Sequence, residues 1–222
     1  MILCIGDVLP GEVLEEIMRA LPAAEFDSGA ATAGWAAREV KNNLQLPQGS
    51  LLRLRIQKLV EEALQGNETF VSAALPRAQS EVLVSRTGAG GGYGNHVDNA
   101  VMGRPAVRTD MAFTLFLSRP QDYDGGELVI DEPQGEQTFK LIAGQMVLYP
   151  ATTLHRVNPV TRGVRHVVAG WVQSLVRDPR LREMLFELDL ARREVFATAP
   201  HSRAFELINK SYSNLLRLHA EV

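Results

Sequence analysis

The chain has 222 residues, 45% of them hydrophobic, and a formal net charge of −3 at pH 7. These values favour a folded protein with a buried core over a disordered chain, and they give no reason to expect nucleic acid or an anionic membrane as a partner. A single cysteine, Cys4, excludes an internal disulfide framework and favours a reducing compartment. The N-terminal apolar run stops at Asp7, and no run approaches the roughly 18 apolar residues of a membrane span. We therefore expect a soluble cytoplasmic protein.

The first third of the chain carries two helical patterns. Apolar residues recur at helical spacing in residues 10–21, and less regularly in residues 51–64. Between them, residues 41–46 predict a connection or a short strand. We expect residues 1–77 to form a helical support segment packed on the rest of the protein.

The middle of the chain changes to short segments rich in β-branched and aromatic residues, separated by glycine and proline. These predicted strands are residues 81–86, 110–118, 127–130, 138–142, 146–149 and 164–174. Regularly spaced short strands with turn signals between them are typical of a sandwich or barrel. We place this core at residues 78–176. Gly125-Gly126 predicts a tight turn, and the glycine run Gly88–Gly92 predicts a mobile loop at the rim of a site.

After the last strand the pattern returns to helix. One helix is predicted to open behind Pro179 and to include residues 181–190, and a second includes residues 205–216. Exposed apolar stripes of this kind usually seek a partner. Residues 177–222 are therefore expected to be a helical extension that either caps the sheet or forms a homodimer. The fold class is mainly β with flanking helices.

Three residues suggest a metal site. His96 and Asp98 are two apart, so on a strand they point to the same face, and His155 can join them if its strand lies beside theirs. Two histidines and one carboxylate are the ligands of a non-haem Fe(II) site with open coordination positions. A zinc hydrolase could use the same three ligands. An isolated His-x-Asp pair is also common in proteins without any metal.

Arg165 strengthens the iron interpretation. It lies in an apolar strand, where a charge is costly without a partner. It would either form an internal ion pair or bind the carboxylate of a cosubstrate through two parallel hydrogen bonds. His166 should face the opposite way by strand alternation, and His201 and His219 are expected at the surface. By the same alternation Val167, Ala169 and Trp171 share the face of Arg165. Further candidates for the cavity wall are Phe116, Leu128 and Val157, while Asn99 is either an orienting residue or a turn residue.

Several motifs together resemble the bacterial PKHD-type hydroxylases, a group of prolyl-hydroxylase-like Fe(II)- and 2-oxoglutarate-dependent dioxygenases. The matching segments are VKNNLQL (40–46), YGNHVDN (93–99), RTD (108–110), TLFL (114–117), YDGGEL (123–128), HRVNPVTRGVR (155–165) and WVQS (171–174). They span most of the chain, and the first segment together with HRVNPVTRGVR is the most specific.

The resemblance implies a double-stranded β-helix, or jelly roll, with His96, Asp98 and His155 as Fe(II) ligands and Arg165 as the anchor for the distal carboxylate of 2-oxoglutarate. It implies hydroxylation coupled to conversion of 2-oxoglutarate and O₂ to succinate and CO₂, with L-ascorbate as a supporting cofactor. Related prolyl hydroxylases often carry a cosubstrate-contacting tyrosine at the position of Arg86.

The resemblance leaves the substrate open. A protein side chain, a free amino acid or an iron-chelating small molecule would each fit, the last with a link to iron homeostasis. A non-catalytic sensor of iron or 2-oxoglutarate on the same scaffold is the alternative function, because one fold hosts many functions.

Overall fold

The computed structural model describes residues 1–103 and 105–222. The strands of this part of the chain are β1 (Leu3–Ile5), β2 (Asp27–Ser28), β3 (Lys41–Asn42), β4 (Leu44–Gln45), β5 (Pro76–Gln79), β6 (Leu83–Gly88), β7 (Gly92–His96), β8 (Val101–Met102), β9 (Val107–Arg108), β10 (Met111–Phe116), β11 (Tyr123–Gly125), β12 (Leu128–Glu132), β13 (Gly135–Phe139), β14 (Met146–Pro150), β15 (Leu154–Val157) and β16 (Val160–Ser174). The α-helices are α1 (Gly11–Ala20), α2 (Leu51–Gly66), α3 (Glu68–Ala74), α4 (Pro179–Thr198) and α5 (Arg203–His219).

The strands form two main antiparallel sheets and a small ribbon. The larger sheet has the order β1-β14-β10-β16-β6-β4-β2, and both β5 and β11 pair with β16. The smaller sheet has the order β13-β12-β15-β7-β3, and β8 pairs with β9. The expected jelly-roll core with flanking helices is confirmed.

The long strand β16 shows how the larger sheet is built. Val168 and Val172 are fully buried in a core shared with helices α1 and α2, whereas Val167 and Trp171 lie in a second cluster on the opposite face. Both faces of the sheet are therefore covered. This accounts for the nearly continuous apolar sequence of the strand, since a strand buried on both faces needs apolar residues at its odd and its even positions.

The predicted helices are confirmed, and one helix was missed. Side chains cap four of the five helices: Ser50, Asn67 and Ser202 each accept a hydrogen bond from the backbone N–H three residues later, and Asp178 accepts one from Arg180. The missed helix is α3. Asn67 signals the end of α2, but its side chain also caps the start of α3, so one residue ends one helix and begins the next.

The N-terminal segment is more than a helical support. Residues 1–77 place helices on the larger sheet as expected, but they also supply β1 to β14, β4 to β6 and β3 to β7. These strands have only two or three residues each. Such a length is too short for alternation of polar and apolar residues to appear in the sequence.

The Gly88–Gly92 segment is a tight turn between β6 and β7 and not an extended loop, while its predicted mobility stays a prediction. Gly90 N–H donates to the carbonyl of Val160 at 2.8 Å, and Val160 N–H donates to the carbonyl of Gly91 at 2.8 Å. A Cβ at Gly91 would lie 2.7 Å from the carbonyl oxygen of Asn42. The glycines thus permit close backbone packing.

Two smaller predictions differ from the structure. Gly125 and Gly126 have φ values of 71° and 67°, which favour glycine, but they lie at the crossing from β11 in the larger sheet to β12 in the smaller sheet and not in the predicted tight turn. The strand predicted at residues 138–142 lies instead at Gly135–Phe139. It is a mostly exposed edge strand, and its first residues are polar, so an apolar pattern did not mark its start.

None of the helices in the described ranges is long and apolar enough to span a membrane.

Candidate active site

The jelly roll brings His96, Asp98 and His155 together. His96 ends β7, and it is the direct cross-strand partner of His155 in β15. Asp98 follows two residues after His96, and its Oδ1 lies 3.9 Å from Nε2 of His96 and 3.8 Å from Nε2 of His155. One ligand atom from each residue lies within 4.8 Å of the others. The sheet register thus produces a compact N, N, O donor set.

Backbone contacts orient both imidazoles. Nδ1 of His96 lies 2.8 Å from the carbonyl oxygen of Gly94, and Nδ1 of His155 lies 3.1 Å from that of Thr153. If each Nδ1 carries the proton and donates to its carbonyl, each Nε2 keeps a free lone pair on the side of Asp98. Metal-binding histidines are commonly held this way.

The electrostatics of the three residues also fit a cation. Burial, followed by the proximity of His155, lowers the pKa of His96 to about 3, so its ring is neutral at pH 7 and able to coordinate metal. Burial raises the pKa of Asp98, and Oδ2 of this carboxylate has no hydrogen-bond partner. A buried carboxylate without a hydrogen bond is costly, and a bound divalent cation would remove this cost. The donor set therefore fits Fe(II).

Two tyrosines surround the histidines. The ring of Tyr93 stacks on His96 with 3.5 Å between centres, and the ring of Tyr149 meets His155 edge-on at 5.2 Å. Burial raises the pKa of Tyr93 to about 12, and it also raises that of Tyr149. Both hydroxyls therefore stay protonated at neutral pH and can donate hydrogen bonds into the cavity.

Arg165 is buried without a counter-ion. It is 2% exposed, and no carboxylate of the described residues lies within the 4.0 Å of an ion pair. Its Nε and Nη2 have no hydrogen-bond partner, while its guanidinium carbon lies 5.5 Å from the ring centre of Phe116. An internal ion pair, one of the two roles predicted for this arginine, is therefore not formed. The unused donors fit the carboxylate of a ligand instead.

Arg165 and the three candidate ligands line one cavity of about 830 Å³, including its open mouth. Val167, Ala169 and Trp171 follow Arg165 along this wall, as strand alternation predicted. Their cross-strand partners in β6 include Thr87 opposite Arg165, which also lines the cavity. Of the other predicted wall residues, Leu128, Val157 and Asn99 line the cavity. Phe116 does not, because it lies against the guanidinium of Arg165.

Arg86 does not take the place of a cosubstrate-contacting tyrosine. It pairs in register with His166 on the opposite face of the larger sheet, and its guanidinium lies 5.5 Å from the ring of Phe26. His166 faces away from the cavity, as predicted, and His201 and His219 are exposed.

The sequence analysis missed the two tyrosines of the cavity, Tyr93 and Tyr149. Strand alternation from His96 would place Tyr93, three residues earlier, on the opposite face, and the register shift between β7 and β15 is not visible in the sequence. Tyr149 lies in a continuous apolar run, where alternation gives no signal.

Proteins of a known family resemble this chain over its whole length. A curated PKHD-type hydroxylase from Synechococcus sp. (strain JA-2-3B'a(2-13)) is 52% identical over 224 residues, which cover 100% of each chain. The chain belongs to the PKHD-type hydroxylases. Residues 82–173 match the family profile of the 2OG-Fe(II) oxygenase superfamily. This PKHD-type hydroxylase is therefore an Fe(II)- and 2-oxoglutarate-dependent dioxygenase.

Solved structures agree with the jelly-roll fold of the PKHD-type hydroxylase. A prolyl-4-hydroxylase from Pseudomonas putida matches with a TM-score of 0.55 at 17% identity, over 78% of this chain and 92% of the other. A prolyl hydroxylase from Trichoplax adhaerens, solved with a peptide fragment of a hypoxia-inducible factor, matches with a TM-score of 0.55 at 14% identity, over 78% and 83%. At these identities the likeness shows the fold alone.

Proposed function

We propose that this dioxygenase holds Fe(II) through His96, Asp98 and His155 and binds the distal carboxylate of 2-oxoglutarate through Arg165. One observation carries the proposal: a buried guanidinium with unused donors lines the same cavity as a compact donor set. The same observation favours an oxygenase over a zinc hydrolase, which would have no use for this arginine.

Each protein group has a defined task. Bound Fe(II) supplies the oxygen chemistry, in which 2-oxoglutarate becomes succinate and CO₂ as the substrate is hydroxylated. Arg165 orients the cosubstrate through two parallel hydrogen bonds. The hydroxyl groups of Tyr93 and Tyr149 donate to ligand oxygen atoms, and the apolar side chains of Leu128 and Val157 exclude water from the reacting end.

The test is succinate release from 2-oxoglutarate by the purified protein with Fe(II), after a shift from anaerobic to aerobic conditions. We expect succinate only when Fe(II) and O₂ are both present, and we expect none from the His155→Ala variant. Tight 2-oxoglutarate binding without succinate from any substrate pool would favour the sensor. A substrate hydrolysed without O₂ would favour the zinc hydrolase.

We propose that the substrate is a small molecule or a protein side chain. The prolyl hydroxylase from Trichoplax adhaerens, which has the same fold, was solved with a peptide fragment, and this supports a protein side chain as one of the two candidates. We also propose L-ascorbate as a supporting reductant and a cytoplasmic location, the latter from the single cysteine. Added ascorbate should then prolong succinate release in the assay above.

We propose a homodimer formed through the C-terminal helices. Apolar side chains of α4 and α5 that are about half exposed support this: Met184, Leu190, Phe196 and Leu207. Sedimentation equilibrium of the wild type and of Leu190→Glu tests the proposal. A monomeric wild type would contradict it.

A further inference from the structure

Lys41 is a cation of the cavity wall that the proposed chemistry does not use. It lies in β3, the edge strand of the smaller sheet, in register with Tyr93 of β7. Its Nζ lies 4.9 Å from the centre of the Tyr93 ring, and that ring stacks on His96. The ammonium is thus separated from a candidate iron ligand by one aromatic ring.

The ammonium of Lys41 has spare hydrogen-bonding capacity. Nζ donates to Oγ1 of Thr32 at 3.0 Å, and within the described ranges no carboxylate lies within ion-pair distance of it. A lysine ammonium has three N–H donors, so two remain for a ligand. Burial lowers the pKa of Lys41 to about 8, although the charge of Asp98 acts in the opposite direction. The ammonium of Lys41 is therefore still mostly charged at pH 7, but no carboxylate of the described residues neutralises that charge at ion-pair distance.

The charges around the cavity also leave Lys41 without a partner. Among the lining residues that the structure describes, Lys41, Asp98 and Arg165 carry the formal charges. In the proposed complex, Asp98 and the two carboxylates of 2-oxoglutarate offset Fe(II) and Arg165. The charge of Lys41 remains, and a partly buried ammonium is stabilised by an anion that enters the cavity.

We propose that the substrate of this enzyme carries a carboxylate that pairs with Lys41. This inference rests on the proposed function, because it assigns 2-oxoglutarate to Arg165. One ammonium matches the single charge of a carboxylate, whereas a phosphate group carries about −1.5 to −2 charges at pH 7 and would leave negative charge uncompensated beside a single lysine.

The neighbouring wall leaves room for such a substrate. Ala33, Gly34 and Ala37 line the same cavity as Lys41 and carry little or no side chain. A substrate held there by its carboxylate would extend past Tyr93 toward the candidate iron ligands. The substrate class is therefore an organic acid, an amino acid or a peptide with an acidic group, and neutral amides are poor ligands.

The test measures binding without turnover. Full-length protein with Fe(II) and 2-oxoglutarate is kept anaerobic and dialysed against a mixture of free amino acids, N-acetyl amino acids and hydroxy acids. A second sample meets the corresponding primary amides. Mass spectrometry reports which compounds the protein retains. We expect retention of one or a few acids, and no retention of their amides.

Variants connect that retention to Lys41. Lys41→Met should weaken binding of the retained acid roughly tenfold to a hundredfold, as expected for loss of a charge-assisted contact, and Lys41→Arg should restore much of it. Lys58→Met is the matched control, since this lysine lies exposed on α2. No retained acid, equal retention of acids and amides, or full retention by Lys41→Met would each overturn the proposal.

The same samples separate this inference from the proposed function. The affinity for 2-oxoglutarate is measured by calorimetry on the wild type, Lys41→Met and Arg165→Met. We expect Lys41→Met to bind the cosubstrate as the wild type does, while Arg165→Met loses it. A loss in Lys41→Met would instead assign Lys41 to the cosubstrate and overturn the inference. A wild type that binds no 2-oxoglutarate would refute the proposed function itself.

Discussion

His96 and His155 face each other directly across the antiparallel strands β7 and β15, with their ring centres 4.2 Å apart. Backbone hydrogen bonds set this register, and a slip of one residue would turn one of the two rings to the other face of the sheet. The convergence of the candidate ligands therefore depends on strand pairing between segments that are distant in sequence.

His155→Ala is expected to abolish tight Fe(II) binding, because only two ligand side chains would remain. Loss of an outer contact to a metal ligand already costs about tenfold to a hundredfold in affinity, so loss of the ligand itself should cost more. Anaerobic calorimetry with Fe(II) measures the effect. His201→Ala, at an exposed position, should bind Fe(II) as the wild type does. Equal affinity in both variants would refute the ligand assignment.

Arg165→Met is expected to weaken 2-oxoglutarate binding by roughly a hundredfold, which corresponds to about 2–3 kcal/mol for a charge-assisted pair. The ligand-free variant should unfold at a temperature no lower than the wild type, because an unpaired buried charge is itself destabilising. The cosubstrate at a hundredfold excess over its Kd should stabilise the wild type by about 2.7 kcal/mol. Calorimetry and thermal unfolding measure the two effects, and an unchanged cosubstrate affinity would remove the assignment.

Gly126→Ala is expected to disturb the cosubstrate anchor. Gly126 has a φ of 67°, and an added Cβ would lie 2.9 Å from Cδ of Arg165. The strained backbone should cost about 1–3 kcal/mol of unfolding free energy, and displacement of the arginine should weaken 2-oxoglutarate binding. Urea denaturation and calorimetry measure both. The control is Gly66→Ala at the end of α2, where nothing lies within 4 Å of the new Cβ. It should be neutral or slightly stabilising, and similar losses in both variants would contradict the prediction.

The stability of the protein should fall with acidification through a half-buried histidine outside the cavity, His166. Burial, followed by the nearby charge of Arg86, lowers the pKa of His166 from 6.5 to about 4. Between these two pH values the unfolded chain binds a proton at this residue and the folded protein does not, so acidification favours unfolding. The contribution is on the order of 2 kcal/mol.

Urea denaturation of the wild type and of His166→Asn between pH 7 and pH 4 tests this assignment. The variant should lose less stability than the wild type over that interval, whereas His201→Asn at its exposed position should behave as the wild type does. Parallel pH profiles for the wild type and His166→Asn would show that another group is responsible.

Local patterns in the sequence were sufficient for much of this protein. Helical periodicity located α1, α2 and α5 within a few residues, because each buries one face against a neighbour and keeps the other exposed. It also located the start of α4, although that helix continues well past Leu190 to Thr198. Strand alternation correctly placed Trp171 on the face of Arg165 and His166 on the other face. Where both faces of a strand are buried, as in β14, alternation carries no information, and the cavity side chain Tyr149 was not found.

The sequence by itself determined which residue types are available: two histidines and an aspartate with metal-ligand spacing, and an arginine in an apolar strand. The tertiary structure decided that Arg165 meets no carboxylate of the described chain, that Arg86 faces away from the cavity, and that Lys41 reaches it from a two-residue strand. These outcomes depend on pairing between strands that are distant in sequence. Long-range register, unlike local periodicity, is set by the packing of the whole fold.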